Sequence, residues 1–266
     1  MTAQEAQDMT GTFTTTDRGT ERRSDASGLR AGGFTTSRVT LAEPNLVRAN
    51  NSFAYYSPDF NGFKANVMYS SGAQNTYSLK SVGAMTGLSL NYGNGPLTLG
   101  YGNQITKGGI AAAASFTPSS ATANTAVNAT NGTDDQKVAT NFLVGSYDFG
   151  VAKAGLGYRT EKLSTGGATD ATTKSTIYSV SAPVGAVTLK ASYISKKAEM
   201  DGAESVKAGT QFAVGAVYDL SKRTALYATY AELKNEAGFA NSVGSAAASA
   251  AGVKSKGFDL GVRHSF

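Results

Sequence analysis

Gly257-Phe258-Asp259-Leu260-Gly261-Val262-Arg263-His264-Ser265-Phe266 ends the chain, and its reading decides the fold. Phe258, Leu260, Val262, His264 and Phe266 share one face, while Asp259, Gly261, Arg263 and Ser265 share the other. Strict alternation is the period of a β-strand, because successive side chains leave the pleat on opposite sides. A soluble domain usually lets its terminus fray. An apolar, regular terminus ending on an aromatic residue predicts a strand paired on both sides, as where a barrel closes.

Working back, the same rhythm recurs to Asn50. Phe63, Ala65, Val67 and Tyr69 alternate with Lys64, Asn66, Met68 and Ser70. Leu88, Leu90 and Tyr92 repeat the pattern, as do Leu97, Leu99 and Tyr101. Ala154, Leu156 and Tyr158 alternate with Lys153, Gly155, Gly157, Arg159 and Glu161. Val187–Tyr193, Phe212–Tyr218 and Arg223–Lys234 follow suit. Short turns fall at Pro58–Gly62, Gly93–Pro96, Asp148–Gly150, Pro183–Gly185 and Asp219–Lys222. Between them lie longer polar segments, expected as loops at about 71–86, 107–136, 163–173, 197–205 and 235–254. We expect eleven strands after residue 49, joined alternately by short and long connections. Residues 1–49 are polar and irregular, although 34–41 could form one short strand. Transmembrane barrels of bacterial outer membranes have short periplasmic turns and long external loops. A β-sandwich gives no reason for that alternation of connection length.

The two faces decide between a core and a lumen. One face carries Phe, Leu, Val, Ala and Tyr. The other is expected to be polar or glycine, and it holds Lys64, Lys153, Arg159, Lys190 and Arg263. Each such charge would cost several kcal/mol if buried dry and unpaired. The assignment therefore inverts: apolar side chains meet lipid and polar ones meet water. Tyrosines at strand ends (Tyr69, Tyr92, Tyr101, Tyr147, Tyr158, Tyr193, Tyr218) fit a membrane–water boundary, where the ring lies in the apolar layer and the hydroxyl stays wet.

Composition narrows the function classes. Charged residues are 16% of the 266, against about a quarter in ordinary soluble domains. No run of about 20 apolar residues occurs, so a helical span is not expected, whereas barrel strands need only about 10 residues of alternating character. Cysteine is absent, which removes thiolate nucleophiles and zinc-thiolate sites. His264 is the one histidine and falls on the apolar face, so no enzymatic role, catalytic residue, metal or cofactor is expected. The net charge of +5 comes without a Lys/Arg run of nucleic-acid type, so no nucleic-acid partner is expected. Met1–Asp8 has neither the basic start nor the apolar run of a signal peptide.

Asn50-Asn51-Ser52-Phe53-Ala54-Tyr55-Tyr56-Ser57-Pro58-Asp59-Phe60-Asn61-Gly62-Phe63 resembles the segment after the constriction loop in general porins of β-proteobacteria. Leu220-Ser221-Lys222-Arg223-Thr224 with Leu226-Tyr227 resembles their penultimate hairpin, and Gly261–Phe266 their closing strand. The resemblance covers residues 48–266. It implies an all-β fold, a transmembrane antiparallel meander β-barrel of sixteen strands, with about eleven visible in this chain. Residues 1–49 would be a remnant of the constriction loop, and the chain would be N-terminally truncated. It further implies a homotrimeric outer-membrane channel that passes small hydrophilic solutes and inorganic ions. The lipid bilayer and lipopolysaccharide would surround it. Phe266 would be the signal read by the outer-membrane assembly machinery. The family's wall arginine is replaced by Ala54, and Arg48 on the same face partly compensates.

The expected pore-lining residues are Arg48, Lys64, Lys153, Arg159, Glu161, Lys190, Lys207, Asp259 and Arg263. Their positive excess predicts a weak anion preference. The competing reading is a non-transporting outer-membrane barrel, such as an adhesin or structural protein.

Overall fold

A computed structural model describes residues 52–71, 84–107, 136–200, 204–236, 238–239 and 250–264. Arg48, Phe266 and all of residues 1–49 lie outside the described residues. The strands are β1 (Ser52–Tyr56), β2 (Phe63–Ser70), β3 (Met85–Asn94), β4 (Leu97–Lys107), β5 (Gln136–Asp148), β6 (Lys153–Thr165), β7 (Ala168–Val184), β8 (Val187–Met200), β9 (Val206–Asp219), β10 (Thr224–Asn235) and β11 (Ser255–His264). They form one eleven-stranded sheet in chain order, every pair antiparallel. The meander expected from the alternation is therefore the fold. Among the described residues β11 pairs with β10 alone, so the expectation of two partners for the last strand is not met within them.

Two turns show how sequence sets the register. At the β2 end of the first hairpin, Gly62 has φ +88°, and a Cβ there would overlap the Gly93 carbonyl oxygen of the next short turn. The Gly93 N–H donates to Gly62 O at 2.9 Å, and the Gly62 N–H donates to the Asp59 carboxylate at 2.6 Å. Only glycine meets both demands cheaply. The second turn corrects an expectation. Residues 163–173 are not a loop, because β6 runs to Thr165 and β7 restarts at Ala168. Gly166 and Gly167 join them with φ +59° and +90°, the two positive angles of a tight hairpin turn. The expected loop at 197–205 shrinks similarly, since β8 continues to Met200.

The faces separate as their chemistry requires. Leu156, Tyr178, Leu189, Phe212 and Leu260 stand open on one face, with Leu260 69% exposed. The other face holds buried Ser89, Thr140, Ser146, Ser175, Ser179, Ser192 and Gln211. Side chains crowd together on that second face, as on the concave wall of a sheet curling toward a barrel. The wall is not purely polar, which corrects the sequence expectation. Phe142, Val144, Ile177, Ile194 and Leu233 also lie on it and are at most 2% exposed. Val144, Gly157, Ile177 and Ile194 are consecutive Cα partners across β5 to β8, so they form one apolar rung.

Aromatic residues form two bands on the convex face. Towards the long connections, Tyr178, Tyr193 and Phe212 are consecutive partners, and Tyr230 pairs with Phe258. Tyr178 and Tyr193 rings lie 6.5 Å apart. Towards the short turns, Phe63 pairs with Tyr92, and Tyr147 packs on Phe149 at 4.8 Å. Such bands mark the edges of an apolar belt.

Candidate functional site: the concave wall

The pairing gathers the wall charges at two heights. Nearer the long connections, Arg159 and Glu161 stand two apart on β6, hence on one side of the pleat. Their side chains pair through Arg159 Nη2 and Glu161 Oε1. The Thr173 hydroxyl also donates to Glu161 Oε2 at 3.3 Å. Both ends of this ion pair are buried, at 3% and 5% exposure. They therefore use their charges on one another, whereas the sequence led us to expect two separate lumen charges. Lys196 joins them, because Ser175 is the cross-strand partner of both Arg159 and Lys196.

Nearer the short turns the charges are more open. Ser181 separates Lys153 on β6 from Lys190 on β8, being the partner of each. Arg263 on β11 lies 3.8 Å from Asp219 of β9, with Ala225 of β10 partnering both. Asp259 is the register partner of Thr229, which puts it on the same face of β11 as Arg263. At the first hairpin Lys64 pairs with Asp59 at 3.3 Å. Asp59 is exposed, and its carboxyl is held below the usual range by the Gly62 N–H and then by Lys64.

Lys207 belongs to the other face. The register of β8 with β9 shifts at Lys196/Lys197, so that Lys196 partners Gly209 and Lys197 partners Lys207. Ala208 is the extra residue of a bulge. Strict alternation back from Gln211 would bring Lys207 to the wall. The bulge turns it to the convex face instead, where it meets Glu236 at 3.5 Å. Ala208 and Ala198 then pack on the wall side with Phe239 and Val206.

Sequence reasoning missed three wall groups. Lys196 continues the alternation Lys190, Ser192, Ile194, and extending that period would have found it. Asp219 was taken as a turn residue, although it completes the face that carries Arg263. Asp148 is the cross-strand partner of Lys153, and its carboxylate accepts the Gly150 N–H at 2.8 Å. Among the described residues no three His, Asp or Glu side chains cluster as metal ligands. His264 lies on the convex face, its Nδ1 2.9 Å from the Thr224 hydroxyl.

This wall has known counterparts. A sequence profile described as Gram-negative porin matches residues 3–238. Outer membrane porin protein 32 of Delftia acidovorans is 35% identical over 236 residues, 85% of this chain and 59% of that protein. The anion-selective porin from Comamonas acidovorans superposes with a TM-score of 0.65 at 29% identity, over 82% of this chain and 60% of that one. In-vitro folded OmpT of Vibrio cholerae (trimer form) shares the fold, with a TM-score of 0.56 at 18% identity over 80% of this chain and 64% of that one. The chain thus spans about 60% of the length of the Delftia and Comamonas porins. The polar concave wall, the lipid-suited convex face and this extensive match make the chain a member of the Gram-negative porin family, proteins of the outer membrane.

Proposed function

We propose that the whole protein is an outer-membrane diffusion channel, weakly selective for anions, whose wall this chain supplies. The observation that carries the reading is the division of the sheet: open aromatic and aliphatic side chains outside, hydroxyls, amides and charges inside. Water and small hydrophilic solutes would pass along the polar side. The wall does no covalent chemistry in this reading. Its fixed charges set the local concentration of mobile ions, which is how a wet pore discriminates.

Among the described residues six cations face this side (Lys64, Lys153, Arg159, Lys190, Lys196, Arg263) against three carboxylates (Asp148, Glu161, Asp219). Arg159 and Glu161 cancel locally. The more open cations, Lys153, Lys190 and Arg263, stand near the short turns, so the preference is expected to originate at the periplasmic end. Asp219 tempers it by its approach to Arg263. Assembly as a homotrimer belongs to the same proposal, as do inorganic ions and small hydrophilic solutes as the transported class. The assembly machinery would read Phe266.

Planar-bilayer recording of the whole protein tests the reading. Stepwise openings with a reversal potential favouring anions are expected. Replacing Lys153, Lys190 and Arg263 together by glutamine should lower the anion-to-cation permeability ratio at least twofold and leave channels that still open. A properly inserted protein that never conducts would instead favour a structural barrel or adhesin.

A further inference from the structure

Most aromatic rings of the sheet stand on its convex face. Tyr227 stands on the concave one, since it partners Val217 of β9 and Gly261 of β11, both in the phase of the wall. Its ring takes the place of a side chain that β11 lacks. A Cβ at Gly261 would overlap Oη, Cζ and Cε1 of Tyr227. The ring thus rests on the backbone of β11, where it is half-buried. Val217 beside it is half-buried too, and Thr188 of β8 completes the rung. Ring and isopropyl group form an apolar patch that still meets water.

Charges bracket this patch. One rung towards the long connections, Lys190 partners Gly215, which puts no side chain between the lysine stem and β10. One rung towards the short turns, Arg263 reaches across Ala225 to Asp219 at 3.8 Å. Lys190 lies within electrostatic reach of both Arg263 and Asp219, so the three charged groups converge around the Tyr227 ring. The Arg263 side chain is 37% exposed and that of Asp219 54%, far more open than the buried Arg159–Glu161 pair. Two cations against one carboxylate leave one positive charge among these described side chains. Successive rungs are about 7 Å apart, close enough for one small planar molecule to cover the ring while its charged end is drawn by the cations.

The chemistry of the patch selects a class of solute. An aromatic face attracts a second ring in an offset stack, and ammonium and guanidinium groups attract a carboxylate. A small aliphatic anion uses the cations alone, and an uncharged arene uses the patch alone. A planar ring bearing a single carboxylate uses both and matches the single excess charge. Stacking of this kind is worth about two- to twelvefold in affinity.

We propose that Tyr227, Val217, Lys190 and Arg263 form a subsite for aromatic monocarboxylates, with the solute ring stacked on Tyr227. It deepens the anion-channel reading and rests on it in requiring the concave side to be open to water. Fluorine NMR at low salt tests it, on the full chain folded in detergent, with para-fluorobenzoate and trifluoroacetate as probes and empty micelles as background. The aromatic probe should bind about fivefold more tightly than the aliphatic one. Tyr227→Leu, which keeps Gly261 covered, should remove that preference and weaken trifluoroacetate less than twofold. Tyr227→Phe should keep the preference, because stacking uses the ring and not the hydroxyl. Lys190→Gln with Arg263→Gln should weaken both probes at least fivefold, and Lys222→Gln in the β9–β10 turn should change neither. Binding of para-fluorobenzoate by Tyr227→Leu within twofold of the unaltered chain would overturn the site. So would an equal loss of both probes in that variant, which marks a ring that only shapes the wall, or a double-cation variant that binds as before. Comparing the two probes on the unaltered chain needs no variant, and equal affinities there also refute the subsite. Planar-bilayer recording separates this inference from the channel itself. A protein that conducts anions but shows no aromatic preference loses the subsite and keeps the channel. One that binds the aromatic probe through Tyr227 yet never conducts loses the channel and keeps the subsite.

Discussion

Replacing Glu161 by glutamine tests whether the buried charges on the wall act as one unit. The carboxylate is 5% exposed, pairs with Arg159 and accepts from Thr173. Glutamine keeps the shape and removes the charge. Two cations, Arg159 and Lys196 at 3% and 2% exposure, then remain close to one another on either side of Ser175. Breaking a buried pair by removing one partner costs about 3 to 5 kcal/mol, because the remaining charge is stranded. Surface pairs are worth at most about 1 kcal/mol, so the wall and surface interpretations differ by several-fold. Guanidinium unfolding of the protein in lipid vesicles, followed by far-ultraviolet circular dichroism, gives the difference. The double replacement Arg159→Met with Glu161→Met strands only Lys196 and should recover at least half of the loss. A cost below about 1 kcal/mol for Glu161→Gln would refute the argument, as would a double variant whose loss equals the sum of the singles.

Two further outcomes follow from the first hairpin. Gly62→Ala should destabilise by at least about 2 kcal/mol, since φ +88° is strained for any L side chain and the new Cβ meets a backbone oxygen that cannot swing away. The same unfolding assay measures it, and Gly95→Ala is the control with open space but a positive φ. The pH response of that turn follows from Asp59. Its folded-state pKa lies below the ordinary 3.8, so its contribution is complete above that value and is lost as pH falls through the lowered one. Amide exchange at Gly62 should therefore accelerate on acidification below about pH 4, after correction for intrinsic rates. Asp59→Asn should remove the step, and an unchanged profile in that variant would assign it elsewhere.

How far the sequence revealed this protein depends on where lipid imposes the pattern. Inside the apolar belt each outward position must be nonpolar, so Leu156, Tyr178, Leu189 and Phe212 announce strand, face and phase together. Above it both faces are wet and the constraint lapses. Thr172, Thr173 and Lys174 gave no alternation to read, and the β6–β7 hairpin looked like a loop. The Gly166-Gly167 pair was the available signal, since adjacent glycines between strands suit a two-residue turn. The bulge at Ala208 is a failure of a different kind. One inserted residue inverts every face beyond it, and nothing in Val206–Gly209 marks the insertion, so Lys207 was assigned to the pore. Lys64, Lys153, Lys190 and Arg263 lie on the polar side of the sheet, in a phase fixed by belt residues on the same strand. The Arg159–Glu161 pairing and its burial were not foreseen, although opposite charges two apart on one strand are the signal that could have announced the pairing. Phe142 and Val144 on the wall side were missed because Leu143 and Gly145 between them leave the phase of β5 ambiguous.

With the short turns on the periplasmic side, as proposed, the Gly166-Gly167 hairpin stands at the cell surface. β7 has seventeen residues, about 56 Å of extended chain. A tilted strand needs only about 9 to 11 residues to cross the hydrocarbon. The excess carries this hairpin about 15 to 20 Å beyond the apolar belt. In the proposed channel, a molecule approaching that end of the sheet meets this hairpin well above the apolar belt. Its crest is two glycines between rigid ladders, a narrow, low-entropy ridge that an antibody or phage tail fibre would encounter first. Atomic force topographs of packed membranes should record it as a lopsided peak on each barrel.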